Sequence, residues 1–237
     1  MKYLPAILST DHSSLNATER AYITIKRRII ELDLEPGARV TKTELSRLTD
    51  AGTMPVREAL TRLQRDGLVQ SLARSGYRVL PVTLKGTRDL CAFRQLLETE
   101  AAGLTAEHGC TEPALTRLAE LLDASYELGD PGSVDGFLRA NFEFDAIIAN
   151  SCRNDMLAQS ITRVFDELER VLRITLKSLP FSLSSANQRR AVLEAIRDRD
   201  PDAARTAMRD RTRASQGQIM DALLASDSIT EASIQVS

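Results

Sequence analysis

The chain has 237 residues, 43% of them hydrophobic and 27% charged, so it is long enough for two domains and too apolar to be generally disordered. Its formal net charge is −2, no run of apolar residues is long enough to span a membrane, and residues 1–16 lack the pattern of a secretory signal. We therefore expect a cytoplasmic protein, in which Cys91, Cys110 and Cys152 are reduced thiols rather than a disulfide framework or a zinc site.

Basic and acidic side chains are unevenly distributed. Lysine and arginine outnumber aspartate and glutamate by 12 to 8 in residues 17–82, whereas acidic residues outnumber basic ones by 24 to 18 from residue 83 onward. Phosphate contacts need positive charge on one module only, so this arrangement favours a DNA-binding module joined to a separate regulatory domain. Ordinary solvated helices produce similar imbalances, and the charge distribution alone does not decide the function.

Two capping boxes predict the first two helices of the basic segment. In each, a side chain that can cap a helix is followed three residues later by a glutamate, and apolar residues then recur at helical intervals. The two pairs are Asn16 with Glu19 and Thr41 with Glu44. The first helix is predicted over residues 17–32, and the second is short and ends at a break over residues 50–52.

A third helix is predicted after this break. Pro55 lies in its first turn, where the missing N–H removes no helical hydrogen bond. Its apolar residues share one face, so the opposite face can enter a DNA groove. The residues of that outward face are Met54, Arg57, Glu58, Thr61 and Arg65.

Two short strands are predicted after the third helix, at residues 68–71 and 77–80. The basic turn between them, Arg74-Ser75-Gly76, is interpreted as the wing. Residues 17–82 are thus expected to form a winged helix-turn-helix, preceded by an N-terminal arm over residues 1–16.

These motifs resemble those of the GntR family of bacterial regulators. The matching residues are Pro36-Gly37, Glu44-Leu45, the P-V-R-E-A-L run from Pro55 to Leu60, Leu63, the run from Asp66 to Val69, and Arg74-x-Gly76. The resemblance implies a homodimer on a near-palindromic operator, with recognition helices in successive major grooves and wing tips near the minor groove.

By position, the resemblance makes Arg57 the main candidate for a base or phosphate contact, because a guanidinium can pair with guanine O6 and N7. The alternative is an ion pair of Arg57 with Glu58 or with a neighbouring helix. For Arg62 and Arg65, DNA contact and an ordinary solvated helix face remain equally open. The other expected DNA contacts, mainly to the backbone, are Lys42, Thr43, Thr53, Thr61, Arg74 and Gly76.

The chain departs from the family pattern in the turn before the third helix. A Ser-Arg pair usually precedes the Thr-Pro-Val-Arg run, whereas Gly52-Thr53-Met54 stands here. We therefore expect an altered half-site, in which Thr53 or Met54 contacts a thymine methyl group instead of an arginine reading guanine.

From residue 83 the chain shows only helical periodicity, interrupted by glycine, proline and serine. An antiparallel bundle of about six helices is the expected packing for residues 83–225, followed by a polar tail over residues 226–237. The predicted helices cover residues 83–107, 112–128, 134–149, 154–177, 185–198 and 201–225. The Arg94-x-x-x-Glu98 spacing, Asn154-x-x-Leu157 and the run from Ala195 to Met208 resemble the FCD-type effector domain of one GntR subfamily.

Most members of that subfamily bind a divalent metal with one aspartate and three histidines. The corresponding positions here read Asn141, Phe144-Asp145, Gln188-Arg189 and Arg211. The two histidines, His12 and His108, fall at none of these positions. We therefore expect no metal and no other cofactor.

Arginines at these positions supply the positive charge that the metal would supply. The favoured hypothesis is a small organic anion bound by Arg189, Arg211 and Arg94, with Asn141 as a polar partner. Two buried arginines beside the single carboxylate of Asp145 would leave excess charge, which favours a missing anion. The alternative is that Asp145 pairs with Arg189 or Arg211 and closes the site.

An enzyme is the competing class of function, and the sequence gives it no support. It contains no phosphate-binding glycine loop and no H-E-x-x-H motif, and its histidines cannot form a catalytic triad. Glu98 and Glu143 could be considered an acid–base pair, but glutamates on amphipathic helices are usually solvated.

An architectural DNA-binding protein without an effector is the remaining alternative. For a sensor, the expected mechanism is a shift between two dimer geometries, transmitted near residues 81–86.

Overall fold

The computed structural model describes residues 15–73, 76–127, 129–176 and 184–225. These residues divide into two units, 15–83 and 84–225, and each unit is described by itself. Most of the expected N-terminal arm, the wing residue Arg74 and the expected tail from residue 226 lie outside the described residues.

The first unit contains a helix-turn-helix followed by a β-hairpin. Its described elements are α1 (Ala17–Ile30), β1 (Arg39–Val40), α2 (Lys42–Thr49), α3 (Thr53–Arg65), β2 (Val69–Leu72) and β3 (Gly76–Val79). Both expected capping boxes are confirmed. The Glu19 N–H donates to Asn16 Oδ1 at 2.9 Å, and the Glu44 N–H donates to Thr41 Oγ1 at 3.2 Å.

The three strands form one antiparallel sheet in the order β1-β3-β2. Val40 lies opposite Tyr77, and Val69 lies opposite Val79, and all four side chains are buried against the helices. The alternate positions of each strand therefore face away from the core. Strand β1 was not predicted from the sequence, because two residues are too few to show an alternating pattern.

Helices α1, α2 and α3 bury their apolar faces in one core. Ile25 and Ile29 of α1 contact this core together with Leu45 of α2 and Leu60 and Leu63 of α3, and each of the five is at most 1% exposed. Fully burying one such side chain contributes about 1.5–3 kcal/mol. This shared core orients α3 relative to α2, as a helix-turn-helix requires.

A polar contact also ties α1 to the end of α3. The Tyr22 hydroxyl donates a hydrogen bond to Asp66 Oδ2 at 2.6 Å. The guanidinium carbon of Arg62 lies 4.0 Å from the centre of the same ring. Arg62, which the sequence left open between DNA contact and solvation, is thus stacked on Tyr22.

The second unit is a helical bundle. Its described helices are α4 (Leu84–His108), α5 (Glu112–Glu120), α6 (Pro131–Ser151), α7 (Asp155–Thr175), α8 (Ser184–Arg197) and α9 (Pro201–Ala225). The expectation of about six helices is confirmed for this part of the chain. The two longest helices, α4 and α9, have 25 residues each and pack most extensively against one another.

Two helix boundaries differ from the expected ones. Helix α5 ends at Glu120 instead of near residue 128, because the backbone tightens there and the Leu122 N–H donates to the Ala119 carbonyl at 3.3 Å. Helix α6 begins at Pro131, three residues earlier than expected. Asp130 caps it by accepting a hydrogen bond from the Gly132 N–H at 2.9 Å.

The second unit has a core cluster to which α4, α5, α6, α8 and α9 all contribute. Phe144, Ile148, Leu193, Ile196 and Met208 are each at most 1% exposed and belong to one cluster. Among the described helices, none combines the length and the apolar character that crossing a membrane would require.

Candidate DNA-binding surface and effector site

The outward face of α3 carries the residues expected to read DNA. Thr53, Met54, Arg57 and Thr61 are all exposed, while Val56 on the opposite face is fully buried. Met54 is 53% exposed, which leaves its side chain able to contact a base.

The expected alternative for Arg57, an ion pair, is not found among the residues that the structure describes. Glu58 instead accepts a hydrogen bond from the Thr18 hydroxyl at 2.9 Å, which ties α3 to α1. The Thr61 hydroxyl donates to the Arg57 carbonyl at 3.0 Å, so it is bound to its own helix. Arg57 is exposed at the side of α3 that faces away from the core.

Two further residues of the expected DNA surface lie at the start of α2. Lys42 and Thr43 are both exposed in its first turn. The Lys42 ammonium and the Thr43 hydroxyl can each donate to a DNA phosphate at this end of α2, where the Glu44 carboxylate accepts from the Thr41 N–H at 2.7 Å.

Gly76 has a structural reason to be glycine. Its φ is +90°, and a Cβ at this position would lie 2.5 Å from the Val40 carbonyl oxygen. The absence of a side chain therefore allows β3 to approach β1 closely, at the base of the wing. This role stands beside the expected DNA contact of Gly76.

In the second unit, four charged side chains from three helices meet in the interior. Arg94 and Glu98 lie on α4, Asp145 on α6 and Arg211 on α9, and each is between 2% and 5% exposed. We call these four residues the buried quartet. The bundle thus contains charged groups at a depth where charges normally require partners.

Arg211 is the most fully paired member of the quartet. Its Nη1 lies 2.7 Å from Asp145 Oδ1, and its Nη2 donates to Asp145 Oδ2 at 3.1 Å. The same Nη2 donates to Asn141 Oδ1, also at 3.1 Å. Glu98 lies further away, with 3.7 Å between its Oε2 and Arg211 Nη1.

Arg94 is paired through its own helix. Its Nε donates to Glu98 Oε1 at 2.7 Å, and its Nη1 donates to the Ser215 hydroxyl of α9 at 3.1 Å. Its Nη2 lies 3.6 Å from Asp145 Oδ2. The quartet is therefore a network of two arginines and two carboxylates, in which Glu98 Oε2 and Asp145 Oδ1 lack a hydrogen-bond partner among the described residues.

The quartet shifts the pKa values of two members. Burial raises the pKa of Glu98 above its usual range, although Arg94 opposes this shift. Burial also acts to lower the pKa of Arg94, but the neighbouring Glu98 and Asp145 outweigh it, and the Arg94 pKa lies above its ordinary value.

Arg189, on α8, lies at the margin of the quartet and is only 1% exposed. Its Nε and Nη2 donate to the Leu122 carbonyl at 3.1 and 2.7 Å, and Nη2 also donates to the Ala124 carbonyl at 2.9 Å. Its Nη1 is buried and has no hydrogen-bond partner in the part of the chain that the structure describes. Burial, and then repulsion by Arg211, lower the pKa of Arg189 to about 10.

The residues at this site do not fit the metal that the FCD resemblance implies. In the described residues, no three His, Cys, Asp or Glu side chains converge to form a metal-binding group. Asn141 Oδ1 and the Asp145 carboxylate are the oxygen atoms at the corresponding positions, and both already accept hydrogen bonds from Arg211. A guanidinium in contact with both groups would repel a cation.

The structure brings together four of the five expected effector residues: Arg94, Asn141, Asp145 and Arg211. The fifth, Arg189, is bound mainly to backbone carbonyls. The sequence interpretation missed Glu98 as a partner and expected such a glutamate to be solvated, which is wrong because Glu98 is 3% exposed. Its spacing of four residues from Arg94 was the signal that could have identified the pair.

A winged helix-turn-helix followed by a helical bundle with a buried polar centre defines a DNA-binding protein with a separate regulatory domain. The model of the bacterial regulatory proteins of the gntR family matches residues 17–79, and the model of the FCD domain matches residues 89–214. The chain therefore belongs to the GntR family and carries an FCD domain. It is a DNA-binding transcriptional regulator and not an enzyme.

Similar proteins include regulators from several bacteria. An uncharacterized HTH-type transcriptional regulator, YdhC, of Bacillus subtilis (strain 168) is 25% identical over 78% of this chain and 82% of its own length. The HTH-type transcriptional repressor RspR of Escherichia coli (strain K12) is 23% identical over 84% of this chain and 89% of its own length.

Solved structures support the same fold. E. coli McbR/YncC superposes with a TM-score of 0.74 at 20% identity, covering 87% of this chain and 98% of that one. A GntR regulator from Rhodococcus sp. RHA1 gives a TM-score of 0.68 at 22% identity, covering 86% of this chain and 97% of the other.

Proposed function

We propose that the protein is a homodimeric repressor whose affinity for operator DNA is controlled by a small organic anion bound in the α4–α9 bundle. It would act on chromosomal DNA in the cytoplasm. Repression is supported by the name of the similar E. coli protein RspR, an HTH-type transcriptional repressor. Control by an anion is supported by the charges around the buried quartet.

The observation that carries the anion proposal is the charge of Arg189. Within the quartet, Arg94 and Arg211 are matched by Glu98 and Asp145. Arg189 adds a third buried positive charge, and the hydrogen bonds described for it are to neutral carbonyls. Its buried Nη1 remains without a partner among the described residues. A carboxylate or phosphate bound there would supply both the missing acceptor and the missing negative charge.

Arg189 also offers a route from the ligand to the protein. Its guanidinium holds the carbonyls of Leu122 and Ala124, which lie in the irregular segment after α5. An anion that turned the guanidinium towards itself would weaken this hold. Binding would then shift the bundle between two packings, and by linkage the operator would change the affinity for the anion by the same factor.

A second candidate function is DNA binding without an effector. The observation that favours it is the direct pairing of Asp145 with Arg211 at 2.7 Å, together with Glu98 near both arginines. With two carboxylates beside them, the charges of Arg94 and Arg211 are neutralised within the quartet. In this case the quartet would simply close the site.

For the DNA contacts, we propose that Met54 and Arg57 reach base edges. Thr53 and Thr61 would lie along the same groove on α3, with Lys42 and Thr43 on a phosphate at the start of α2 and Gly76 in the wing. The exposed positions of these α2 and α3 residues support this assignment.

The two candidates are separated by a thermal-unfolding screen of the full chain with mono- and dicarboxylic acids, sugar acids, inorganic phosphate and divalent metals. A ligand that binds only the native state stabilises it by about 2.7 kcal/mol at a hundredfold excess over its Kd. We expect an anion to raise the unfolding temperature of the wild type and of Arg190→Met, but not of Arg189→Met. Arg190 is the matched control because it is adjacent, half exposed and only loosely paired with Asp123, at 3.8 Å.

The anion proposal would be contradicted if a divalent metal stabilised the protein, or if none of the anions did. Either result would favour the second candidate. If Arg189→Met does not fold, calorimetric titration of the wild-type protein with the same acids decides between the candidates.

A further inference from the structure

A row of polar side chains crosses the outward face of the three-stranded sheet. In the strand register, Arg39 of β1 lies opposite Arg78 of β3, and Arg78 lies opposite Gln70 of β2. Directly opposite residues share a face of a sheet. The neighbouring pair of Val40 and Tyr77 is buried against the helices, so the row of Arg39, Arg78 and Gln70 points away from the core.

Two like charges in one cross-strand pair are unfavourable for the sheet. Directly opposite side chains have Cβ atoms about 4.5–5.5 Å apart, and equal charges at this separation destabilise the pair. Within the described residues no acidic side chain pairs with Arg39 or Arg78. Arg78 Nε is in addition buried without a hydrogen-bond partner there. The fold therefore maintains a concentration of positive charge that its own described residues do not neutralise.

Elsewhere in the same unit, two arginines of α1 do have acidic partners. Arg27 pairs with Glu31, and Arg28 pairs with Asp33 at 2.5 Å. Arg57 of α3 also lacks an ion pair among the described residues, so Arg39 and Arg78 are distinguished by lying directly opposite one another in the sheet. An external anion is the natural partner for such a row, because two guanidinium groups and an amide can all donate to the oxygens of one phosphate.

We propose that Arg39, Arg78 and Gln70 form a second DNA contact, separate from the recognition helix. These three side chains bind a phosphate of the DNA backbone. This inference rests on the DNA-binding function. A phosphate is the same at every base pair, so a contact to it contributes affinity without sequence preference. It lies on β1 and the stem of the wing, not on the face of α3.

The test uses the full chain with the Arg39→Gln/Arg78→Gln double substitution. Fluorescence anisotropy would measure binding to a duplex selected from a random pool and to a scrambled duplex, at several salt concentrations. We expect both affinities to fall by the same factor. The slope of log K against log salt should become shallower by about 1, the change expected for the loss of one phosphate contact.

Two controls make the result specific. Arg28→Gln removes one positive charge, against two in the double variant, from a side chain that already has an acidic partner, and it should leave the salt slope unchanged. Removing the like-charged pair should also leave the unfolding temperature of the double variant equal to or above that of the wild type. A lower unfolding temperature would show that the row serves the fold, and it would overturn the proposal.

The proposal also fails if the double variant keeps the wild-type salt slope, or if Arg28→Gln flattens the slope equally. Arg57→Gln distinguishes this failure from a failure of the proposed function. If Arg57→Gln loses preference for the selected duplex while the double variant binds like the wild type, the sheet contact alone is wrong. If the wild type prefers no duplex sequence, the proposed operator binding is wrong as well.

Discussion

Arg211 on α9 and Asp145 on α6 form an ion pair, with 2.7 Å between Nη1 and Oδ1, and the two residues are 5% and 2% exposed. The pair lies at two positions for which the FCD resemblance implies metal ligands. It therefore joins two helices of the bundle through side-chain charges where most relatives would use a cation. Because both charges are desolvated, removing one should cost much more than the intact pair contributes.

Asp145→Asn should destabilise the protein by about 3–5 kcal/mol, because it leaves the Arg211 charge buried without its main partner. The double substitution Asp145→Leu/Arg211→Met should cost less than the sum of the two single substitutions. Urea unfolding of the wild type, Asp145→Asn, Asp145→Leu, Arg211→Met and the double variant would measure both effects. The control is Glu100→Gln, which breaks a more exposed pair with Arg205 and should cost at most about 1 kcal/mol. Equal losses of unfolding free energy for Asp145→Asn and Glu100→Gln would contradict the claim that breaking the buried pair costs more than breaking the exposed one.

Glu98 should make stability depend on pH in the mildly acidic range. Its pKa is raised by burial, so the folded protein holds this proton where the unfolded chain, with an ordinary value of 4.5, has lost it. The stabilisation from this bound proton is fully present below the pKa of Glu98 in the unfolded chain. It is lost as pH rises through the pKa of Glu98 in the folded protein. Relative to Glu98→Gln, the wild type should therefore lose unfolding free energy as pH rises above about 4.5. Parallel profiles for Glu98→Gln and the wild type would refute the assignment.

Met54 should contribute to recognition through a thymine methyl group, because it is exposed on the outward face of α3. Replacing individual thymines of the selected duplex by uracil removes only that methyl group. At one position, this change should weaken wild-type binding by about 1 kcal/mol or more, yet leave binding by Met54→Ala unaffected. Competition anisotropy would measure the difference. If uracil weakens DNA binding by both proteins equally at every position, Met54 does not contact a thymine methyl group.

Gly76→Ala should destabilise the winged unit. The substitution places a Cβ 2.5 Å from the Val40 carbonyl oxygen at a φ of +90°, and strain of this kind costs about 1–3 kcal/mol. Gly217→Ala is the matched control, since nothing lies within 4 Å of its Cβ position inside α9. That change should stabilise the protein by about 0.5–1 kcal/mol. Thermal unfolding of both variants is the measurement, and a neutral Gly76→Ala would show that β1 and β3 can separate without cost.

The helices of both units could be predicted because their signals are local. The capping boxes at Asn16 and Thr41 lie within four residues of the helix that each begins, and the apolar periodicity of the bundle persists over many turns. Strand β1 could not be predicted, because Arg39–Val40 acquires its structure only by pairing with β3. The early end of α5 also depends on distant groups, since Arg189 binds the carbonyls just beyond it.

The residues at the polar centre of the bundle were predicted in composition but only partly in pairing, since the alternative of an Asp145–Arg211 pair is the one observed. The positions of Arg94, Asn141, Asp145 and Arg211 followed from the resemblance, and they do meet. Which carboxylate meets which arginine depends on how the helices are rotated about their axes. One sequence does not specify that rotation, so the burial of Glu98 and the carbonyl partners of Arg189 became visible only in the folded chain.

The most direct test of the central claim is the affinity of the full-length protein for its selected duplex, measured by anisotropy with and without each acid of the screen. We predict that at least one organic anion lowers the affinity of the wild type, by a factor within the usual allosteric range of about 5–150. The same anion should leave Arg189→Met unchanged. If the wild type binds the duplex with the same affinity in every acid and in phosphate, the protein is a DNA-binding regulator whose buried charges only hold the bundle together.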